Sequence, residues 1–368
     1  MIKIALLGYG TVGKGAMEAA KRAGVEVKRV LARSVRAGLE GVMTTDFNDI
    51  LSDPEVEAVM EAIGGLHPAF EYAMAAMNAK KHFVTANKAL VCEYYNELAE
   101  CAKLNGVEFR CTSSVGGGLQ WLPNLARARR CDEILSLYGI INGTTNFILT
   151  GMRSGGSYSD MLKEAQRLGF AEADPSADVQ GYDARRKCAI SASVAFGARV
   201  PEDGIPCEGI TALSPEFIDR LCGVLGAGEV KLVASASCND GRVFAVVQPE
   251  FVMAGSQLSA VNDCYNFISY TGKNIGEQAY YGLGAGSGPT GTGLVQDIMD
   301  IIEGGGCRIT PPQRGYAEDD SVMRRYYLEV DQKGKLIGPI PVKDMFKLVG
   351  SLRAEGNSAA FAALPEDA

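Results

Sequence analysis

Histidine is almost absent from this sequence of 368 residues, which contains only His67 and His82. A histidine general base or a histidine-rich zinc site therefore has almost no residues from which it could be built. The 10 cysteines include no Cys-x-x-Cys spacing, and several lie among apolar neighbours. This pattern is typical of reduced, buried thiols and not of metal or redox chemistry. We therefore predict no metal site, and the candidate acids and bases are lysine, aspartate, glutamate and tyrosine.

An excess of positive charge and long apolar runs are also missing. The formal net charge is −8, which argues against nucleic acid as a partner. No apolar run reaches the roughly 18 residues of a membrane span, and the chain opens on a strand-like stretch instead of a basic and apolar leader. We therefore expect a cytoplasmic protein. The 47% hydrophobic and 22% charged residues indicate a globular protein, and the length allows two domains.

A glycine-rich turn follows the first predicted strand. It consists of Gly8, Tyr9, Gly10, Thr11, Val12 and Gly13. Strand 2–8, helix 14–23 and strand 26–32 around it have the order and length of a βαβ unit. Gly8 makes the tight turn, Gly10 lets the backbone approach a pyrophosphate, and Gly13 allows the helix to pack closely on the strand. We therefore predict an N-terminal Rossmann domain whose first helix binds the phosphates of NAD or NADP.

The end of the second strand indicates which nucleotide is bound. The strand runs into Ala32-Arg33-Ser34, and no acidic residue follows before Glu40. Six basic residues surround this point: Lys21, Arg22, Lys28, Arg29, Arg33 and Arg36. Arg33 can pair with a 2′-phosphate, whereas an NAD enzyme usually has an acid here. This favours NADP over NAD, and the alternative is a solvated basic face.

Two further strands, 58–63 and 82–85, are predicted to end near the same ligand crevice. Gly64 follows the first and Lys88 follows the second. Because the carboxyl ends of parallel strands face the ligand in a doubly wound sheet, Gly64 is a candidate cofactor contact and Lys88 a candidate for the reacting centre. From position alone, Lys88 is equally consistent with a surface lysine.

The middle of the chain is rich in polar residues. Residues 139–149 form a glycine-containing turn between apolar runs, suited to a small polar ligand. Four carboxylates then precede or open a predicted helix: Glu172, Asp174, Asp178 and Asp183. Asp183 and Lys187 have the i,i+4 spacing that places both on one helix face. Asp183 could instead cap the helix, and the spacing does not decide between the two.

Residues 165–187 resemble the homoserine dehydrogenase signature. The matching positions are Ala165, Gly169, Phe170, Ala171, Asp174, Pro175, Asp178, Val179, Gly181, Asp183 and Lys187. Further landmarks of that family match in the same order over about residues 1–305: the turn 8–13 and the segments 85–88, 115–118, 142–146 and 282–290.

The resemblance implies an enzyme that interconverts L-homoserine and L-aspartate 4-semialdehyde by hydride transfer with NAD(P), in threonine and methionine biosynthesis. It implies that Glu172, Asp178 and Asp183 bind the substrate's ammonium group or its ordered partners, and that Gly143 and Thr144 line the pocket. Lys187 and Lys88 would flank the reacting oxygen, where an ammonium can stabilise negative charge or exchange a proton. Gly286 would contact the cofactor.

Two segments depart from the family pattern. Thr112 stands where the family has a glutamate that helps to bind a structural monovalent cation, so the resemblance gives no support for that site here. Gln120 and Trp121 replace a following proline segment, either by reshaping a neighbouring surface or by neutral drift. Residues 323–330 resemble the start of a regulatory ACT module, but too few residues follow to complete one. We predict a turn-rich appendage, with a loose tail over 357–368.

The predicted architecture is α/β. It comprises a Rossmann domain at 1–130, an α+β catalytic and dimerisation domain at 131–305, and a return segment with a short appendage at 306–368. A helix near 293–303 is predicted to return to the first domain. We expect a homodimer or higher homo-oligomer. Two alternatives remain: a paralogous dehydrogenase for another small amino-aldehyde or hydroxy acid, and a non-catalytic nucleotide-binding regulator.

Overall fold

The computed structural model of the protein describes residues 2–309, 312 and 315–365. The chain divides into two compact units. The first comprises Met1–Cys131 and Leu283–Gln313, and the second comprises Asp132–Gly282 and Arg314–Ala368. Residues 283–305, placed with the second domain in the sequence-based boundaries, thus fold with the first unit.

The chain passes from the first unit to the second, returns once to the first, and ends in the second. The strands are β1 (Lys3–Leu7), β2 (Glu26–Leu31), β3 (Met43–Thr44), β4 (Ala58–Glu61), β5 (His82–Thr85), β6 (Phe109–Arg110), β7 (Ile134–Ile140), β8 (Gly228–Asn239), β9 (Arg242–Met253), β10 (Tyr265–Gly272), β11 (Gly276–Leu283), β12 (Met323–Val330), β13 (Lys333–Pro341) and β14 (Ala359–Ala363). The helices are α1 (Thr11–Ala23), α2 (Asn48–Leu51), α3 (Ala69–Asn78), α4 (Lys88–Asn105), α5 (Trp121–Arg129), α6 (Gly143–Arg153), α7 (Tyr158–Leu168), α8 (Ser176–Val179), α9 (Tyr182–Phe196), α10 (Pro215–Leu225), α11 (Ser287–Ile302) and α12 (Val342–Ala354).

The first unit is built on a parallel sheet with the strand order β3-β2-β1-β4-β5-β6. Successive residues of β1 point to opposite faces, and both faces are apolar. Ile4 and Leu6 pack with residues of α1 and α11, whereas Ala5 and Leu7 pack with residues of α3 and α4. A sheet covered by helices on both faces is the doubly wound arrangement. The Rossmann fold predicted for the N-terminal part of the chain is confirmed.

Small residues let α1 and α11 approach each other closely. A Cβ on Gly15 would lie 2.0 Å from the Ser287 carbonyl oxygen, and one on Gly291 would lie 2.4 Å from the Ala16 amide nitrogen. Real Cβ atoms do not come so close to backbone atoms, so both positions require glycine. The helix that contains Gly291 therefore belongs to the core of the nucleotide-binding unit.

The second unit contains an eight-stranded sheet in the order β11-β10-β7-β8-β9-β14-β12-β13. Its longest pairing is the antiparallel hairpin of β8 and β9. The turn of that hairpin contains Asp240 and Gly241, both with positive φ. Asp-Gly is favoured in such tight turns because both residues tolerate the left-handed conformation. Helix α9 packs against β8 and β9, so the sheet supports the helix that contains Asp183 and Lys187.

The C-terminal segment, residues 323–363, is a folded part of the second sheet and not the short appendage predicted within 306–368. Strands β12 and β13 pair with each other, α12 follows, and β14 lies between β9 and β12 in the sheet. The loose tail predicted from Asn357 is wrong for Ala359–Ala363, where all five residues are buried. This run of small apolar residues around Phe361 lacks the polar alternation that marks a strand exposed on one face, so its pattern does not predict a strand. Among the described residues, no helix is long and apolar enough to span a membrane.

Candidate functional site

The glycine turn of the first unit leaves open space beside a helix end. Gly8 has φ of +96°, and its N–H donates to the Leu31 carbonyl at 2.9 Å. A Cβ on Gly13 would lie 2.1 Å from the Gly8 carbonyl oxygen, whereas one on Gly10 would meet no atom within 4 Å. Gly10 precedes α1, which starts with Thr11 and Val12 and has no side-chain cap. The N–H groups of this first turn, unlike those of capped helices, have no side-chain acceptor, which fits a pyrophosphate.

The basic residues around the second strand divide into two groups. Lys28 forms an ion pair with Asp53 at 3.0 Å and Arg29 lies 3.7 Å from the same carboxylate, so these two side chains have a structural partner. Arg36 lies over the ring of Tyr9, with its guanidinium carbon 5.1 Å from the ring centroid. Arg33 is exposed immediately beyond β2. The predicted basic cluster is therefore partly neutralised, and Arg33 and Arg36 remain beside the strand end.

Glu61 organises the adjoining ends of β4 and β5, and sequence reasoning missed it. Its side chain is fully buried, and one carboxylate oxygen accepts the N–H groups of Ile63 at 2.7 Å and Gly64 at 3.0 Å. The hydroxyl of Thr85 donates to the other oxygen. Burial raises the pKa of this carboxyl group above its ordinary value, against the lowering effect of these hydrogen bonds. Glu61 therefore fixes the backbone at Gly64, which has φ of +73°.

Two more predicted residues, Lys88 and Gly286, also lie at helix starts in the first unit. Asn87 caps α4, where its side-chain oxygen accepts the Leu90 N–H at 3.1 Å, and its amide donates to the Gly65 carbonyl at 2.6 Å. Lys88, half-buried, is the first residue of that helix. Gly286 precedes α11, and the neighbouring hydroxyl of Ser287 donates to the Thr11 carbonyl at 2.7 Å. Gly286 is thus placed next to the glycine turn.

In the second unit, Asn142 joins two of the predicted carboxylates. Its side-chain amide donates to Asp178 Oδ1 at 2.7 Å and to Asp183 Oδ2 at 2.9 Å. Its side-chain oxygen accepts the Thr145 N–H at 2.9 Å, which caps α6. Because the cap fixes the amide, both carboxylates are held in defined positions. Sequence reasoning noted the polar turn but did not assign this role to Asn142.

Lys187 is buried against the same cluster. Its ammonium lies 2.6 Å from Asp183 Oδ2 and donates to the Ile141 carbonyl at 2.8 Å. The residue is only 4% exposed, and a buried ammonium needs such partners. Helix α9 is preceded by Gly181 and has no side-chain cap, so the geometry favours the Asp183–Lys187 pair over the capping alternative.

The other predicted substrate residues separate into two groups. The Thr144 hydroxyl donates to the Phe170 carbonyl at 2.7 Å, and a Cβ on Gly143 would lie 2.4 Å from the Cys264 carbonyl oxygen. Both residues start α6 directly after Asn142. Glu172 is exposed, and its backbone carbonyl accepts a hydrogen bond from Gln166. Among the described residues, Asn142 donates to Asp178 and Asp183 and not to Glu172.

At Thr112, the segment that departs from the family pattern supplies no charged ligand for a monovalent cation. The Thr112 N–H donates to Asp297 Oδ2 at 3.0 Å and its hydroxyl donates to Asp297 Oδ1 at 2.5 Å. Both polar groups of Thr112 near this point are therefore used within the protein, and its side chain supplies no negative charge. Within the described residues, no group of three or more His, Cys, Asp or Glu side chains could hold a metal ion.

Comparisons with known proteins agree with this geometry. The family model described as "Homoserine dehydrogenase, NAD binding domain" matches residues 8–112, and the model described as "Homoserine dehydrogenase" matches residues 121–299. The homoserine dehydrogenase of Synechocystis is 40% identical over 322 residues, which cover 82% of this chain and 73% of that protein. The enzyme of Bacillus subtilis is 38% identical, with coverages of 82% and 73%.

A solved structure extends the similarity to the whole chain. The crystal structure of a homoserine dehydrogenase from Thiobacillus denitrificans superimposes with a TM-score of 0.85 and 30% identity, and covers 99% of this chain and 98% of that one. The similarity therefore includes the C-terminal segment. The chain belongs to the homoserine dehydrogenase family, and is an NAD(P)-dependent oxidoreductase of amino-acid biosynthesis.

Proposed function

We propose that the chain interconverts L-homoserine and L-aspartate 4-semialdehyde, and that Asp178, Asp183 and Lys187 form part of the substrate site. The observation that carries this proposal is the cluster around Asn142, where the amide holds both carboxylates and Asp183 pairs with Lys187. These three charged side chains together have one net negative charge. The ammonium group of an amino-acid ligand would compensate this charge locally.

Lys187 is the proposed catalytic cation of this unit. An ammonium has three N–H groups, and Asp183 and Ile141 accept from it among the described residues. One N–H is then left for the substrate oxygen that gains negative charge as the carbonyl is reduced. Lys187 would stabilise that oxygen and supply its proton, and would take the proton back in the oxidation of homoserine. Asp183 keeps the ammonium in place.

The nucleotide is proposed to bind in the first unit. Gly8, Gly10, Thr11, Val12 and Gly13 would hold its pyrophosphate at the start of α1, and Gly64, Lys88 and Gly286 would line the same site. When bound, the nicotinamide ring exchanges a hydride with the substrate carbon. The exposed guanidinium of Arg33 favours NADP over NAD, because it can pair with a 2′-phosphate. Lys88 is proposed as a second catalytic cation.

The reaction can be tested by absorbance at 340 nm with L-homoserine and either NADP or NAD. We expect the signal to grow, and to grow faster with NADP. Lys187→Met should lower kcat by about 100-fold or more, since it removes general acid–base catalysis. Lys163→Met on helix α7, exposed in the structure, is the control and should keep its activity. A fully active Lys187→Met would refute the assignment, and a flat trace with intact nucleotide binding would favour the paralogue with another substrate.

The proposed preference for NADP has its own test. Arg33→Ala should raise KM for NADP by roughly tenfold to a hundredfold, the range of a charge-assisted hydrogen bond, and should leave KM for NAD nearly unchanged. Arg22→Ala, at the end of α1 and also exposed, is a control of equal charge. Equal effects of Arg33→Ala on both nucleotides would contradict the proposed role of Arg33.

We also propose a cytoplasmic homodimer or higher homo-oligomer. The broad sheet of the second unit supports this proposal, since open sheets are suited to isologous contacts. Light scattering coupled to gel filtration should give at least twice the chain mass of 39.0 kDa. A monomer at micromolar concentration would contradict the proposal.

A further inference from the structure

One loop of the second unit connects the C-terminal segment with the substrate cluster, our name for Asn142, Asp178, Asp183 and Lys187. We define the bridging loop as residues 201–210. Its Glu208 N–H donates to the Val247 carbonyl at 2.8 Å, and the Val247 N–H donates to the Pro206 carbonyl at 3.0 Å. These bonds attach the loop to β9 in the middle of the sheet. The loop is therefore anchored on one side by backbone hydrogen bonds.

The other side of the bridging loop lies against the turn that contains Asp178. The Ile210 N–H donates to the Val179 carbonyl at 2.8 Å, and a Cβ on Gly209 would lie 2.1 Å from the same carbonyl oxygen. The thiol of Cys207 contacts the Gln180 carbonyl at 3.5 Å. Residues 207–210 therefore support the backbone immediately after Asp178, on the way to Asp183.

Glu202 connects the start of the bridging loop to helix α9. Its carboxylate accepts hydrogen bonds from Arg186 at 2.8 Å and from Arg185 at 3.4 Å. Both arginines lie between Asp183 and Lys187 on that helix. The loop thus contacts the substrate cluster at two places, the turn 178–181 and the first turns of α9.

A bidentate ion pair holds the bridging loop to the C-terminal segment. Arg353 of α12 donates to Glu208 Oε1 at 2.8 Å and to Glu208 Oε2 at 3.1 Å. The same guanidinium donates to the Ala359 carbonyl at 2.8 Å, directly at the start of β14. The Glu208 side chain is 15% exposed, so the pair is partly shielded from solvent. Parallel, shielded hydrogen bonds of this kind define a geometry as well as an attraction.

We infer that Glu208 and Arg353 are positioning residues that align Asp178 and Asp183 for the substrate. The inference rests on the proposed function in taking these two carboxylates as substrate ligands. Glu208 is two residues from Ile210, whose N–H donates to the Val179 carbonyl, so release of the Glu208 side chain loosens the support of the turn 178–181. The expected consequence is weaker binding of the amino-acid substrate, because the carboxylates no longer hold one alignment.

The chain offers a closely matched control pair. Arg220 of α10 donates to Glu329 of β12 at 2.7 and 2.8 Å, and the Arg220 and Arg353 side chains are each 37% exposed. This second bidentate pair also holds the C-terminal segment, but to α10 and not to the bridging loop. Glu208→Ala and Glu329→Ala therefore remove equivalent ion pairs from the same segment.

The kinetic test compares these variants in the full-length protein. Glu208→Ala should raise KM for homoserine by roughly three- to tenfold, with a smaller change in kcat and none in KM for the nucleotide. Glu208→Gln should show a smaller rise, because its amide oxygen still accepts one N–H from Arg353. Glu329→Ala should lower the thermal midpoint similarly and leave KM for homoserine unchanged. An equal rise of KM in both alanine variants would overturn the inference.

A second measurement separates this inference from the proposed function. Hydrogen exchange of peptides that cover residues 171–183 should be faster in Glu208→Ala and in Arg353→Ala than in the wild type, and unchanged in Glu329→Ala. The double variant Glu208→Ala/Arg353→Ala should exchange no faster than Arg353→Ala, since that single variant already removes the ion pair with Glu208. Unchanged exchange in Glu208→Ala would overturn the positioning role. Faster exchange in a protein without activity on homoserine would refute the proposed function and uphold the connection.

Discussion

Asp297 is a buried carboxylic acid whose titration should be visible in the stability of the first unit. It is 1% exposed, and its oxygens accept hydrogen bonds from the N–H and the hydroxyl of Thr112. Burial raises its pKa from the ordinary value of 3.8 to about 7, in spite of these hydrogen bonds. Because the pKa is higher in the folded state, the contribution of Asp297 to stability is fully present only below its ordinary pKa. This contribution should fall as the pH rises from about 3.8 towards 7.

Replacement of Asp297 by asparagine should remove this pH dependence. The shift of about three pH units corresponds to about 4 kcal/mol over the whole titration, of which about 2 kcal/mol falls between pH 5.5 and pH 8. Asparagine has the same size and can keep two hydrogen bonds, since its oxygen accepts the Thr112 N–H and its amide donates to the Thr112 hydroxyl. The unfolding free energy of Asp297→Asn relative to wild type should therefore rise by about 2 kcal/mol across this range.

Trp121 provides the assay for this prediction. It is the only tryptophan of the chain, it is fully buried, and it starts α5 in the first unit. Urea unfolding followed by its fluorescence at several pH values reports on this unit. Glu61, a second buried carboxyl with a raised pKa, is present in both proteins, so its effect cancels in the difference. A difference between variant and wild type that is constant from pH 5.5 to pH 8 would refute the reasoning.

Two further predictions concern packing, and thermal unfolding measures both. Gly15→Ala should cost about 3 kcal/mol, because its Cβ would lie 2.0 Å from the Ser287 carbonyl oxygen. Gly223→Ala in α10, where a Cβ meets no atom within 4 Å, should instead stabilise the protein by up to about 1 kcal/mol. If Gly15→Ala and Gly223→Ala changed the stability equally, the close crossing of α1 and α11 would be contradicted. Phe361→Ala should cost about 3–5 kcal/mol, since the ring packs on Tyr326 and Phe346 at centroid distances of 5.7 and 5.4 Å. A loss below about 1 kcal/mol, as expected for the exposed Leu336→Ala, would show that β14 is not part of the core.

Local spacing was sufficient to predict the glycine turn, and it offered the Asp183–Lys187 pair as one of two alternatives. The job assigned to Gly13 depends on backbone within one βαβ unit, since a Cβ there would lie 2.1 Å from the Gly8 carbonyl oxygen, whereas the close contact at Gly8 is with Ala62 after β4. The ion pair depends on four residues of helix, and its length of 2.6 Å agrees with the spacing. The contact at Gly13 and the ion pair both join residues near each other in the sequence, where helix and turn geometry limit the alternatives.

The supporting residues could not be predicted in this way. Asn142 contacts carboxylates 36 and 41 positions further along the chain, and Glu61 meets the Thr85 hydroxyl across two neighbouring strands. No periodicity connects such positions, so only the folded chain brings them together. Strand β14 escaped prediction for a related reason, since its apolar run gains a place in the sheet only from β9 and β12.

The two departures from the family pattern have one physical explanation. The Thr112 hydroxyl donates a hydrogen bond to Asp297 of α11. The side-chain amide of Gln120 donates one to Gln296, which directly precedes Asp297 in the same helix. Both departures are thus hydrogen-bonded to one turn of one helix, which favours a reshaped local packing over neutral drift. A glutamate at position 112 would place a second carboxylate beside the buried Asp297, and like charges in such a site oppose each other's ionisation. A bound cation could compensate for that repulsion. With the neutral hydroxyl of Thr112 as donor to Asp297, no such repulsion arises at this position.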